Sequence, residues 1–147
     1  MNTAILAPAA ALILWSIIML FWMAFTRFPA MKAMREARGS TGAVSTSKPG
    51  GRGQDLEGLV PDNVNWKSHN YTHLMEQPTL FYAVVVILAM VGPTQDMVIA
   101  AWLYTALRIA HSLWQALVNT IPVRFMLFLL STFALTYLAI RALMATL

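Results

Sequence analysis

The polar residues that open the second apolar run of this chain could bind a ligand or hold a metal. His69, His73 and Glu76 are spaced i, i+4 and i+7, so a helix places all three on one face. Imidazole and carboxylate groups are metal ligands and good hydrogen-bonding partners. Polar groups at the entrance of a membrane are costly unless other groups compensate for them. Further polar residues are therefore expected at the same level.

A second polar stripe lies on a later apolar run. Arg108, His111 and Gln115 share a helical face, and Arg124 begins the last apolar run. Arg108 is the most central charge, and a charged residue at the centre of a membrane helix costs about 2.5–3.5 kcal/mol on insertion scales. Glu76 is the carboxylate expected to neutralise Arg108, either within one chain or across a subunit boundary.

Four apolar runs are the elements that must position these residues. They cover residues 4–25, 70–91, 97–118 and 123–145, and each is close to the ~20 residues that a helix needs to cross a bilayer. The chain is 59% hydrophobic and 11% charged, whereas a soluble domain carries roughly 25% charged residues. These features predict an all-α membrane protein, with residues 1–147 forming a single four-transmembrane-helix bundle.

The basic residues predict the orientation of the bundle. Residues 27–68 form the only long connection, and the turn at residues 92–96 contains no lysine or arginine. Most of the basic residues lie in the long loop: Arg27, Lys32, Arg35, Arg38, Lys48, Arg52 and Lys67. Loops rich in Lys and Arg stay in the cytoplasm, so the loop is expected there and both termini outside. Topology thus explains the basic residues, and nothing supports binding to nucleic acid.

Three smaller features complete the predicted architecture. Residues 31–38 can extend the first helix, whereas residues 39–42 and 48–53 have the glycine-rich composition of flexible segments. The links at residues 92–96 and 119–122 are short, which makes neighbouring helices antiparallel. The polar groups of the last three helices should therefore share one level near the cytoplasmic surface.

The start of the second helix resembles the MAPEG family, the membrane-associated proteins of eicosanoid and glutathione metabolism. Members carry Arg-x-x-x-Asn-x-x-Glu there, followed by a proline. In this chain the same register reads His69, His73 and Glu76, followed by Pro78.

The third and fourth helices extend the resemblance. Some members carry Arg-x-Ala-His on the third helix, and here the residues are Arg108-Ile109-Ala110-His111. These members have Pro-x-Arg after the next turn, and here the residues are Pro122-Val123-Arg124. This second match is the more specific one, because residue types and spacing both agree.

The resemblance implies a homotrimer that binds glutathione between subunits on the cytoplasmic side. Glu76, Arg108, His111 and Arg124 would line that site, with Arg124 holding the glutathione sulfur as the thiolate. His69, His73 and Gln115 occupy positions of further family contacts. The chain would be a divergent bacterial member in the inner (cytoplasmic) membrane, in contact with lipid and acting on a lipophilic small molecule.

Several family contacts are changed in this chain. Histidines replace the Arg and the Asn of the second helix, and Gln115 replaces a tyrosine. Phe125 and Phe128 replace a Ser and a Tyr that often follow the fourth-helix arginine. At least three hydrogen bonds to glutathione are therefore missing, and a site built on buried hydrogen bonds loses affinity when partners are deleted.

Three functions remain open from the sequence. The first is a glutathione-dependent transferase or peroxidase. The second is a non-enzymatic protein that binds lipid, a small molecule or a partner protein, and the two phenylalanines suit this alternative. The third is a metal site built from His69, His73, Glu76 and His111. A purely structural ion pair between Glu76 and Arg108 is the simplest alternative to all three.

Overall fold

A computed structural model describes residues 3–38 and 49–147, and this part of the chain is helical throughout apart from its turns. The flexible segment predicted at residues 39–42 and Lys48 lie outside the described residues. The five α-helices are α1 (Leu6–Arg38), α2 (Asp62–Leu74), α3 (Gln77–Val91), α4 (Gln95–Leu117) and α5 (Ile121–Thr146). Helix α1 runs through residues 31–38 as predicted, and α2 begins before residue 68, so the connection is shorter than expected.

Three segments are long and apolar enough to cross a membrane, namely Thr3–Ala37, Asp62–Val91 and Ile121–Thr146. Helix α4 has 23 residues but does not belong to this group, because its polar residues lower its mean hydropathy. Most of those polar side chains are buried inside the bundle, whereas Gln95 and Asp96 in the first turn are exposed. The side chains that α4 exposes include several large apolar ones: Ile99, Trp102, Leu103, Leu113 and Leu117. The fourth span therefore stays a prediction.

The second apolar run, predicted as one span over residues 70–91, is interrupted just before Pro78. A proline lacks the backbone N–H and its ring clashes with the carbonyl four residues earlier. Pro78 is accordingly found in the first turn of α3, a position that proline tolerates. The helix stops before it, at Met75 and Glu76, and Glu76 has φ −88° and ψ −95°. Helix α2 thus ends at the level of the polar residues.

The core is apolar, with one buried hydrogen-bonded centre. Phe81 and Tyr104 are fully buried and stack with ring centroids 4.3 Å apart. Ser112 accepts hydrogen bonds from Trp15 Nε1 at 2.9 Å and from Asn70 Nδ2 at 2.7 Å. These two bonds join α1, α2 and α4, and they explain how the asparagine of the second run is accommodated.

Turn residues bring α4, α5 and α2 together at one end of the bundle. Asn119 ends α4 in the left-handed conformation, with φ 56°, that asparagine tolerates. Pro122 lies in the first turn of α5. The buried Lys67 of α2 donates to the carbonyl of Ala116 at 3.4 Å, so the carboxyl end of α4 lies beside α2.

A short stretch before α2, which we call the strap (residues 52–60), folds onto the end of α1. Leu56 and Val60 are buried there and form a small cluster with Met31 and other apolar residues of α1. Arg27 of α1 donates to the carbonyl of Gly53 and to Ser68 Oγ, the latter at 2.8 Å. The strap is thereby fixed over the start of α2.

Candidate functional site

A polar pocket of about 170 Å³ lies between the strap, α2 and the carboxyl end of α4. Most of its lining belongs to one face of α2. The lining residues are Gly53, Gln54, Asn65, Ser68, His69, Thr72, His73, Glu76 and Gln115. Four of the seven predicted site residues therefore line a single pocket.

His69 lies at the exposed edge of this pocket and is held by the segment that precedes α2. Its Nε2 is 2.8 Å from Glu57 Oε1, and both side chains are about half exposed. An exposed pair of this kind contributes roughly 0–1 kcal/mol to stability. His69 is thus oriented by Glu57 and points away from a common centre with the other histidines.

Arg108 is fully buried and contacts the end of α2. Its Nη2 lies 3.0 Å from His73 Nδ1 and 3.0 Å from the His73 carbonyl oxygen. That carbonyl belongs to the last turn of α2, where the helix provides no partner and the helix dipole favours a cation. The carbonyl and the imidazole, rather than a carboxylate, are the groups that compensate the charge of Arg108.

The predicted ion pair between Glu76 and Arg108 does not form within the described chain. No carboxylate of the described residues lies within 4.0 Å of Arg108. Glu76 is 62% exposed in its side chain, and its Oε2 is 4.0 Å from His73 Nε2. The interruption of the helix turns Glu76 outward. Neutralisation of Arg108 by Glu76 of a neighbouring subunit stays a prediction.

His73 and His111 form a stacked pair behind the pocket. Their ring centroids are 4.8 Å apart and their planes differ by 22°. Phe128 of α5 covers this pair, with its ring 5.4 Å from that of His73 and 5.9 Å from Arg108 Cζ. Phe128 therefore makes this side of the histidine pair apolar, whereas Phe125 is 61% exposed on the surface of α5.

Gln115 supplies an unsatisfied acceptor to the pocket. The residue is buried, and its Oε1 has no hydrogen-bond partner. A buried unpaired amide oxygen costs about 1–3 kcal/mol. An N–H or O–H group of a bound molecule would remove that cost.

Arg124 lies in the first turn of α5 and does not line the pocket. Its Nη1 donates to Asn119 Oδ1 at 2.6 Å, and the side chain is half-buried. Among residues 3–38 and 49–147 it has no carboxylate partner. Its positive charge is therefore available to a further anion at this end of the bundle.

The metal alternative finds no support in the geometry. Within the described part of the chain, no group of three or more His, Asp or Glu side chains is arranged to hold a metal ion. His69 pairs with Glu57, and His73 Nδ1 faces a guanidinium, so the two rings are held by different partners.

The family assignment rests on a comparison that covers nearly the whole chain. The model of the MAPEG family matches residues 5–144. The chain belongs to the MAPEG family. Searches of curated proteins and of solved structures gave no significant match. Members of the MAPEG family are membrane-bound and generally use glutathione.

In this MAPEG protein, several pocket residues were missed by the sequence reasoning. Asn65, Ser68 and Thr72 lie on the same face of α2 as His69, and they would have been found if that face had been followed back to Asp62. Gly53 and Gln54 had no comparable signal, because the path of the strap is set by contacts distant in sequence.

Proposed function

We propose that this chain is a glutathione-dependent membrane transferase or peroxidase that acts on lipophilic compounds. The observation that carries the proposal is the environment of Arg124. Its guanidinium is bonded to a neutral amide and lies in the first turn of a 26-residue helix that has no side-chain cap. A cation beside exposed helix N–H groups favours a bound anion, and a thiolate is such an anion.

Glutathione, when bound, supplies a thiol that attacks an electrophilic carbon or a peroxide oxygen as the thiolate. The role of Arg124 in this proposal is to hold that sulfur in its deprotonated form. Glu76 at the rim of the pocket suits the amino group of the peptide, and Gln115 Oε1 suits a peptide N–H. Family members generally use glutathione, which supports the choice of this peptide.

We further propose that a neighbouring subunit completes the site. The pocket of about 170 Å³ in one chain is smaller than the roughly 300–1,000 Å³ of pockets that enclose drug-sized ligands. Arg124 lies outside it, so one chain presents the cation and the pocket as separate parts. A homotrimer, as is frequent in this family, would allow the pocket of one subunit to face the arginine of the next.

We propose four membrane spans, formed by α1, by α2 together with α3, by α4 and by α5. Helix α4 serves as the fourth span, because its buried polar face is covered by the bundle and its outward face is apolar. The basic residues near the strap orient this end toward the cytoplasm, with both termini outside. The inner membrane of a bacterium is the location we infer for such a protein.

Titration of the purified protein with glutathione tests the role of Arg124. The ultraviolet absorbance of the thiolate should rise on binding, and Arg124→Gln should abolish this rise. Arg141→Gln is the matched control, since Arg141 bonds Asp96 and Tyr137 at the other end of α5. A thiolate signal that survives Arg124→Gln, or that both variants lose equally, would refute the proposal.

A non-enzymatic binding protein is the second candidate, and the lining of the pocket favours it. No lysine or arginine lines the pocket, and the ring of Phe128 packs against His73, one of its lining residues. A molecule with little negative charge, such as a neutral lipid, would suit this lining better than a peptide with two carboxylates. Binding of such a lipid without any thiolate signal in the titration would favour this candidate.

A further inference from the structure

The contact between Arg108 and His73 determines where the imidazole carries its proton. Arg108 Nη2 lies 3.0 Å from His73 Nδ1. A guanidinium is always a donor and cannot accept a hydrogen bond, so His73 Nδ1 must be the unprotonated acceptor. A neutral imidazole has one N–H, and in His73 that N–H is then on Nε2.

The other side of the ring lies toward Glu76, which also lines the pocket. His73 lines the pocket, and its Nε2 makes no hydrogen bond with the described residues. The nearest recorded polar partner of Nε2 is Glu76 Oε2, which at 4.0 Å is too distant for a direct bond. The Nε2–H group is thus left as a donor for a bound molecule.

Two ring contacts and one hydrogen bond to the backbone keep the ring in this orientation. His111 stacks on one side of the His73 imidazole at 4.8 Å, and Phe128 lies tilted against it at 5.4 Å. Arg108 Nη2 also donates to the His73 carbonyl at 3.0 Å. Its two hydrogens thus bond the backbone and the ring of the same residue. A turn of the ring by 180° would replace this acceptor with a carbon atom.

We propose that Arg108 is a positioning residue that locks His73 as the Nε2–H tautomer, and that His73 thereby donates a hydrogen bond to an oxygen of the molecule bound in the pocket. The identity of that molecule as glutathione rests on the proposed function, whereas the tautomer does not. Arg108 itself does not line the pocket and acts only through His73.

Nitrogen NMR of the ligand-free protein tests the tautomer directly. The chain has three histidines, so ¹⁵N-histidine labelling gives few signals, and His73→Asn identifies those of His73. We expect an unprotonated Nδ1 and a protonated Nε2 at neutral pH. A protonated Nδ1 in the wild-type protein would overturn the proposal, whatever the protein binds.

Two variants of Arg108 distinguish selection of the His73 tautomer from a role in which Arg108 only bonds the carbonyl at the end of α2. Glutamine can either donate or accept, so Arg108→Gln should give a mixture of both tautomers. Lysine can only donate, so Arg108→Lys should retain the Nε2–H form. Identical His73 signals in wild type and Arg108→Gln would show that Arg108 does not select the tautomer. If Arg108→Gln fails to fold, a protonated Nδ1 of His73 in the wild-type protein or in Arg108→Lys would still refute the proposal.

Glutathione titration provides a functional measurement. We expect Arg108→Gln to weaken binding roughly threefold to tenfold, as for the loss of one hydrogen bond. In a His73→Asn background the same change should have little effect, because the side-chain amide of asparagine donates without tautomers. Equal losses in both backgrounds would show that Arg108 only caps α2. A wild-type protein that binds no glutathione would refute the proposed function, and the NMR experiment would still test the tautomer.

Discussion

The serine at the centre of the bundle allows a sharp test of how the helices are held together. Ser112 is fully buried and accepts one hydrogen bond from Trp15 of α1 and one from Asn70 of α2. Ser112→Ala removes the single oxygen that accepts both bonds and leaves two N–H donors without a partner. The Oδ1 atom of Asn70 already has no hydrogen-bond partner. In the variant, the side-chain amide of Asn70 would therefore make no hydrogen bond at all.

The size of the effect follows from two scales. Leaving a buried donor unsatisfied costs about 1–3 kcal/mol in soluble proteins. Hydrogen bonds between membrane helices average only about 0.6 kcal/mol and reach about 1.7, because the unfolded helices find other partners in the membrane. Two such bonds with a fully buried asparagine give an expected loss of about 1–3 kcal/mol in the free energy of unfolding.

Ser131→Ala is a matched control for this prediction. Ser131 is also fully buried, but its hydroxyl donates only to the Phe128 carbonyl of its own helix. Such local bonds contribute little to helix stability, so we expect a change below about 0.5 kcal/mol. Reversible unfolding in mixed micelles, followed by circular dichroism, measures both variants. Equal losses in the two variants, or no loss in Ser112→Ala, would refute the role of Ser112 as the centre that joins three helices.

Further predictions concern the core, the topology and the strap. Phe81→Ala should lower the free energy of unfolding by about 3–5 kcal/mol, whereas the exposed Phe133→Ala should change it little, in the same unfolding assay. The chain has no cysteine, so Gln54→Cys and Thr94→Cys give single labelling sites, and an impermeant thiol reagent added outside should label only the second in intact cells. Arg27→Ala should raise hydrogen exchange in residues 52–60 relative to the other described residues, because the strap then loses its side-chain hydrogen bond to α1 and keeps only its apolar contacts.

Much of the helical architecture could be predicted from local patterns. Runs of about twenty apolar residues indicate helices, although the interruption of the second run before Pro78 was not predicted. His73 and Glu76, which the sequence grouped by their spacing, both line the pocket. These inferences need only spacing along the chain, which sequence provides directly.

The partners of the charged residues could not be predicted in the same way. A carboxylate was the obvious partner for Arg108, but the interruption at Glu76 exposes a backbone carbonyl of His73 and turns the carboxylate outward. That outcome depends on where α2 ends relative to α4. The contact of His69 with Glu57 likewise depends on the path of the segment before α2, for which composition gives no guide.

The separation of α2 from α3 also affects how the protein fits its bilayer. Helix α3 has 15 residues, about 22 Å at 1.5 Å per residue, which is shorter than the ~30 Å of hydrocarbon. The last turns of α2 must supply the missing length. Because the helix is interrupted between them, the direction of α3 through a bilayer need not follow that of α2. The tilt of α3 is set instead by its contacts with α4 and α5, such as the stacking of Phe81 on Tyr104 and the hydrogen bond from Gln77 to Thr132.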